Sequence, residues 1–284
     1  MDNIKKHLEQ AEKNLNSEWQ EKEKSVIADI EQTINEISEL AKTEKFSPFS
    51  ILNLENQSLD GVSESQNLPE LVRIGKLNPD HYSDKLSDIP MLLPFTEKAV
   101  SFLLDENNVH TLFSLIAFRF MLSLPLNLTK FYFVDNNLGS DFALVNKINR
   151  ENIEYTIIAN QQDRNKLFCD LEQLVSDFNK KHKASFNSLK DYNKTAGALQ
   201  EAYHFVFITN FPAGFTAETA EKLNTLISNG NAAKAGIYLF FSIDRNEKPP
   251  FGVDIDQFSA HTTCIHQISN IYQKESKIND IIYW

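Results

Sequence analysis

The sequence predicts an α/β fold: a mostly parallel sheet flanked by helices, preceded by an N-terminal helical arm. Two observations predict it. From Leu71 onward, short apolar runs alternate with longer amphipathic stretches of helical spacing, and the runs are apolar at successive residues rather than every second one. Continuously apolar strands belong to a sheet covered on both faces, and helices between strands supply the crossovers that parallel pairing requires. The strand candidates are Leu71–Gly75, Ala99–Leu104, Lys130–Val134, Tyr155–Ile158, Phe205–Ile208 and Gly236–Phe241, with Thr262–Ile268 also reading as a strand. The helix candidates are Thr111–Leu124, Arg164–His182 and Ala217–Asn229.

Ahead of this body, the first forty residues are rich in Glu, Lys and Gln and contain neither Pro nor Gly. Ile4, Leu8, Ala11 and Leu15 form one stripe at helical spacing, and Ile27, Ile30, Ile34, Ile37 and Ala41 a second. The two are out of phase across Glu18–Glu23, which fits two helices or one long helix with a break in its seam. Thr43–Glu70 holds Pro48, Asn53, Asn56 and Asp60-Gly61, so it reads as a linker or exposed loop. The expected organisation is an arm over 1–42, a linker over 43–70 and a body over 71–284. Ile27, Ile30, Ile34 and Ile37 need a cover, either the arm's own domain or another chain. The linker is long enough to reach beyond the body, so a protein partner or self-association is the expectation.

Composition narrows the function classes. Hydrophobic residues at 42% and charged residues at 24% are ordinary for a folded protein and exclude global disorder. A net charge of -11 repels nucleic acid and anionic lipid, so the isolated domain is not expected to bind DNA. The short basic run Lys180-Lys181-His182-Lys183 sits at a helix end, where cations suit the dipole. Cys169 and Cys264 are too far apart in sequence to suggest a disulfide framework, and a reducing cytoplasm is expected. Met1–Lys6 runs into charged residues without an apolar targeting core. Val109–Pro125, the most apolar stretch, carries His110 and Arg119 and is shorter than the roughly 20 residues of a membrane span, so it reads as a core helix.

Several segments recur in a telling order. They are the lead-in Asp88–Phe95, the strand Ala99–Leu104, a long apolar helix, and Phe131–Asp135 with its terminal aspartate. The helix Arg164–His182, the run Asn187–Asn193 ending in Tyr-Asn, and the junction Leu226–Ile237 with its Gly and Ala-Gly-Ile follow. From about Leu71 to Asp244 this order resembles the FtsK/SpoIIIE/HerA branch of P-loop ATPases, the DNA translocases. The resemblance implies a P-loop-NTPase-like, RecA/FtsK-like body.

The catalytic motifs of that family are not matched. A Walker A loop uses glycines so that successive N–H groups cradle phosphate, with a lysine for the β/γ-phosphates and a hydroxyl for Mg²⁺. The corresponding stretch is Leu104, Asp105, Glu106, Asn107, Asn108, Val109, His110 and Thr111. His110 falls at the lysine position and Thr111 at the hydroxyl position, while Leu104 and Val109 replace the glycines. Asp105 and Glu106 repel a triphosphate, and no glycine occurs between Gly75 and Gly139. Where the family has Asp-Glu after its second acidic strand, this chain has Thr209-Asn210. Neither carries the charge that holds Mg²⁺ or activates water. Asn210 reads as a turn former before it reads as a water-orienting group.

The expectation is therefore a catalytically inactive module without cofactor, acting through protein contacts as a scaffold or as the degenerate module of a larger translocase. The alternative is part of an active DNA-translocating ATPase whose catalytic loop is supplied in trans or beyond residue 284. A third reading is a coiled-coil adaptor. His261, Cys264 and His266 lack a fourth ligand, so no metal is expected. Ser228, Ser242 and Asp135 lack a positioned base. Asp135, at a strand end beside the nucleotide crevice, is retained as the crevice acid because open α/β sheets place their sites there. The apolar run Ile281–Trp284 is expected to be docked as a final strand or to continue into further chain.

Overall fold

The computed structural model describes residues 2–41, 68–77, 89–103, 106–135, 142, 145 and 154–266. The predicted linker and the apolar run at 281–284 lie outside them, except that Leu68 is already buried in the body's core. Six strands form one sheet: β3 (Val100–Leu103), β4 (Thr129–Val134), β5 (Glu154–Ile158), β6 (Tyr203–Phe211), β7 (Ile237–Ile243) and β8 (Thr263–His266). Their order is β5-β4-β6-β7-β3-β8, and every pairing is parallel. The predicted α/β class is what the chain adopts. β1 (Leu71–Leu77) stands apart from this sheet in an antiparallel ladder with β2 (Ile89–Pro94), irregular between Arg73 and Gly75. Pro90 and Pro94 obscure β2 in the sequence, and they are tolerated because β2 pairs only on one side.

The helices are α1 (Asp2–Ala41), α2 (Glu106–Ser123), α3 (Gln161–Lys181), α4 (Leu189–Ala196), α5 (Ala217–Ile227), α6 (Asn231–Lys234) and α7 (Ile255–Ala260). Asn160, Ser188, Thr216 and Asp254 each accept a backbone N–H as N-cap, which sets where α3, α4, α5 and α7 begin. The predicted helix ending at Asn229 stops at Ile227, because Ser228 turns to extended backbone with ψ of 134° and Asn229 then takes a left-handed conformation with φ of 56°. Gly230 follows in the same conformation, and a Cβ there would lie 2.6 Å from the Glu97 carbonyl oxygen. No side chain fits that junction.

One aromatic layer organises the body. Parallel pairing places Phe131 beside Phe205, and Phe133 beside Phe207 and then Phe240. Their rings stack at 5.3, 5.4 and 5.1 Å between centroids. Phe120 and Phe113 of α2 cover this layer at 4.4 Å from Phe205 and 5.7 Å from Phe207. Val206, Ile208 and Phe241 alternate onto the opposite face, where Phe211 joins Phe241 to Phe215 and so to Phe168 of α3.

The chain entering β6 is fixed by Asn193, whose side-chain amide donates to the Glu201 carbonyl at 2.8 Å and accepts from the Glu201 N–H at 2.9 Å. At the start of β6, His204 is buried, hydrogen-bonded to Tyr132 at 3.2 Å, and lowered to about 4, chiefly by burial and then by Lys130. Burial and neighbouring Arg73 likewise lower Arg119 to about 10. Among the described residues no helix is long and apolar enough to cross a membrane.

The arm is one helix, without the break that the sequence suggested. Trp19 and Val26 carry the apolar face across Glu18–Glu23, because at 100° per residue they stand within about 40° of Leu15. Leu15, Trp19 and Val26 are 55%, 67% and 55% exposed. Ile27 and Ile30 are half-buried, while the side chains of Ile34 and Ile37 lie outside the described set.

Two predictions follow from the body's packing. Phe207→Ala lowers stability by about 3–5 kcal/mol in chemical denaturation, with Phe207→Leu costing much less, since only the alanine leaves a large void. The unfolded chain holds His204 near its ordinary value of about 6.5 and so binds more protons than the folded chain between there and about 4. Stability therefore falls as pH drops through that window, by roughly 2–3 kcal/mol, and His204→Gln flattens the acid limb of a stability-against-pH profile.

Candidate functional site

Open parallel sheets place their sites at the carboxyl ends of the strands, and here those ends gather the predicted residues in two groups on either side of β7. At β3, only Leu104 and Asp105 separate the strand from α2. A P-loop instead spends an eight-residue GxxxxGK[ST] segment between strand and helix. Glu106, Asn107, Asn108 and Val109 lie in the first turn of α2, and His110 and Thr111 are its fifth and sixth residues, both half-buried. The stretch read from sequence as a nucleotide loop is thus mainly helix. The physical reason is that carboxylates at a helix N-terminus favour the macrodipole, so Asp105-Glu106 promotes an early helix start. Only the first four N–H groups of a helix lack an internal partner, so those of His110 and Thr111 belong to the helix ladder. The side chains of residues 105 to 108 lie outside the described set.

Beyond β7, β6 runs three residues past its predicted end and includes Thr209 and Asn210. Thr209 is buried and its hydroxyl donates to the Val134 carbonyl at 3.4 Å. Asn210 has φ of 55°, sits in the irregularity where β6 shifts register against β7, and donates its backbone N–H to Ser242 Oγ at 2.7 Å. Asparagine tolerates that left-handed conformation better than most residues. Ser242 thereby acquires a bridging role between strands, and Ser228 donates to the Asn224 carbonyl at 2.7 Å.

Asp135 directly follows β4 and is 0% exposed. Its N–H donates to the Ile158 carbonyl at 3.0 Å, and its carboxylate accepts from the Phe142 N–H at 3.4 Å. The retained acid therefore faces the backbone of the segment that follows. Asp244, which the sequence reading missed because it placed the strand end at Phe241, closes β7 by accepting from the Asn246 N–H at 2.8 Å.

The remaining candidates are dispersed. His182 caps α3 and pairs with Glu201 at 3.0 Å, while Lys180 and Lys181 are exposed in the last turn of α3 and Lys183 is exposed just beyond it. His261 is exposed at the end of α7 and Cys264 is half-buried in β8. Among the described residues no three His, Cys, Asp or Glu side chains come together as a metal site. A cleft of about 390 Å³ that no motif marked lies between α5 and the segment 251–258, lined by Asn224, Phe251 and Phe258 among others. Phe251 at its edge is fully exposed, and Asn224 Oδ1 is buried without a hydrogen-bond partner.

Solved structures give this architecture a place. The cytoplasmic domain of the Thermomonospora curvata type VII secretion ATPase EccC superposes with a TM-score of 0.51 at 14% identity, over 74% of this chain and 25% of that one. The cytoplasmic domain of EssC gives 0.52 at 14% identity, over 69% and 37%. The chain has the fold of these ATPase domains. ATPases 2 and 3 of EssC from Geobacillus thermodenitrificans give 0.50 at 13% identity, over 66% and 36%. The chain thus spans between a quarter and just over a third of these three structures. No protein-family model matches the sequence, and no curated protein matches it.

The geometry at β6 predicts that Asn210→Gly keeps stability within about 0.5 kcal/mol. Asn210→Val loses about 1–2 kcal/mol, because a β-branched residue is strained at this φ. Denaturant titration of the two variants measures the difference.

Proposed function

We propose that this chain is a motor-fold module without nucleotide chemistry, working through protein contacts as a scaffold or as the degenerate module of a larger cytoplasmic translocase. The β3–α2 connection carries the reading. Two residues stand where an ATPase needs a phosphate-cradling loop, and the helix is already wound through the positions of the lysine and the magnesium hydroxyl. Thr209 and Asn210 support it from the other side of β7, since one hydroxyl donates to a strand carbonyl and the other residue shapes a strand irregularity. EccC is a type VII secretion ATPase, and the EssC structure contains ATPases numbered 2 and 3. A module of this size and fold suits one position in such a series, with nucleotide turnover left to other modules.

Protein contact surfaces are available on both parts of the chain. The arm exposes Leu15, Trp19 and Val26, and the body exposes Phe251 beside its cleft. We place Ile27, Ile30, Ile34 and Ile37 on the same partner-binding arm, separated from the body by a linker over 43–70.

Calorimetric titration with Mg-ATP tests the reading. Binding no tighter than about millimolar is expected, worth about 4 kcal/mol. A micromolar dissociation constant overturns it and favours the active translocase.

A further inference from the structure

The arm carries a pattern that its continuity as one helix makes meaningful. Along α1 the residues Ile4, Leu8, Ala11, Leu15, Trp19, Lys22, Val26, Ile30, Thr33 and Ile37 are separated by steps of four, three and four in an eleven-residue repeat. That repeat averages about 3.67 residues per turn, so the stripe stays nearly parallel to the helix axis. Its middle, Leu15, Trp19, Lys22 and Val26, is exposed.

The sequence of steps reads the same from either end. Two copies laid antiparallel therefore place every stripe position opposite another stripe position. The register that sets Leu15 opposite Val26 also sets Trp19 opposite Lys22, Ala11 opposite Ile30 and Ile4 opposite Ile37. Apolar residues meet apolar ones at these outer layers, and the central indole meets an ammonium group, a favourable cation–π pairing. A parallel pair instead sets Trp19 on Trp19 and Lys22 on Lys22.

Charge selects the same direction. From Ser25 to Ala41 the helix holds Asp29, Glu31, Glu36 and Glu39 with no Lys or Arg, a net of -4, whereas residues 1–24 balance Lys5, Lys6, Lys13, Lys22 and Lys24 against Asp2, Glu9, Glu12, Glu18, Glu21 and Glu23, a net of -1. Parallel pairing brings the -4 half against its own copy, and antiparallel pairing lays it beside the nearly balanced half, whose lysines offer it counter-charges. Like charges set side by side are destabilising and opposite ones favourable.

We propose that α1 pairs antiparallel with α1 of a second copy of this chain, with the layers of Trp19 and Lys22 at its centre. The pairing rests on the reading of the arm as a partner-binding element and names its partner and orientation. Each chain leaves the pair toward its body at the opposite end of a helix about 60 Å long. The assembly is a two-ended spacer carrying one motor-fold body at each end.

Disulfide trapping on the full chain, with Cys169→Ser and Cys264→Ser, tests it. Leu15→Cys and Val26→Cys proteins are mixed, allowed to exchange and oxidised with oxidised glutathione. In the antiparallel pair residue 15 lies about 16 Å along the axis from its own copy, beyond the roughly 7 Å Cα reach of a disulfide. The expected result is a cross-linked dimer joining the two different variants, with neither variant cross-linking alone. Sedimentation of the unmodified chain at tens of micromolar is expected to give a dimer that Trp19→Glu with Val26→Glu converts to monomer without shifting the body's thermal transition. Self-cross-linking at both positions overturns the proposal in favour of a parallel pair. A monomeric unmodified chain overturns it too, while leaving the loss of nucleotide chemistry, read separately by the titration, untouched.

Discussion

The stacking of phenylalanines across β4, β6 and β7 is the contact on which the rest of the body depends. A parallel sheet aligns equivalent residues of neighbouring strands side by side, so one aromatic at the same face position in each strand becomes a continuous row. Phe133, Phe207 and Phe240 form such a row, with Phe131 and Phe205 beside it. A flat aromatic row offers no branched knobs to lock a helix. Phe113 and Phe120 tilt or stack onto it from α2, and Phe95 reaches Phe120 at 4.8 Å. This layer sets the position of α2 over the sheet and with it the corner where β3 ends.

That corner links packing to function. α2 is buried along nearly its whole apolar surface, from Val109 to Leu124 just past its end, so the helix is anchored well into its first turns. A phosphate loop requires the opposite, a stretch of backbone released from regular structure with its N–H groups turned toward solvent. Here the chain shares the fold of the ATPase domains it superposes on, and the segment from Glu106 onward after β3 is helix. At the far side of β7, the Thr209 hydroxyl and the Asn210 backbone N–H tie neighbouring strands together.

The arm obeys a different physics. Its helix holds many charged residues and few residues of intrinsic packing value, so burial of one stripe must supply its stability in the protein. Trp19 is the largest contributor to that stripe and stands where the two apparent sequence stripes meet. A continuous face of this kind transmits direction as well as contact, because the residues it sets opposite one another and its asymmetric charge distinguish the two ways in which a second helix can lie on it.

Much of the body was legible in the residues. Apolar runs marked β3, β6 and β7 because burial on both faces removes any need for polar alternation, whereas the outer strands β5 and β8 carry polar residues and are only partly buried. Tertiary structure decided what depends on distant neighbours. β2 exists only because β1 pairs with it despite two prolines, and Asn210 takes its left-handed turn where β6 slips against β7. Asp135 turns toward Phe142, a contact that no spacing encodes. The start of α2 at Glu106 lay between these cases: its acids and asparagines suit a loop or a helix N-terminus equally, and burial of the following turns resolved the choice. Periodicity is a local property and can be read along the chain, whereas register, strand ends and the direction of a buried carboxylate are set by partners far away in sequence.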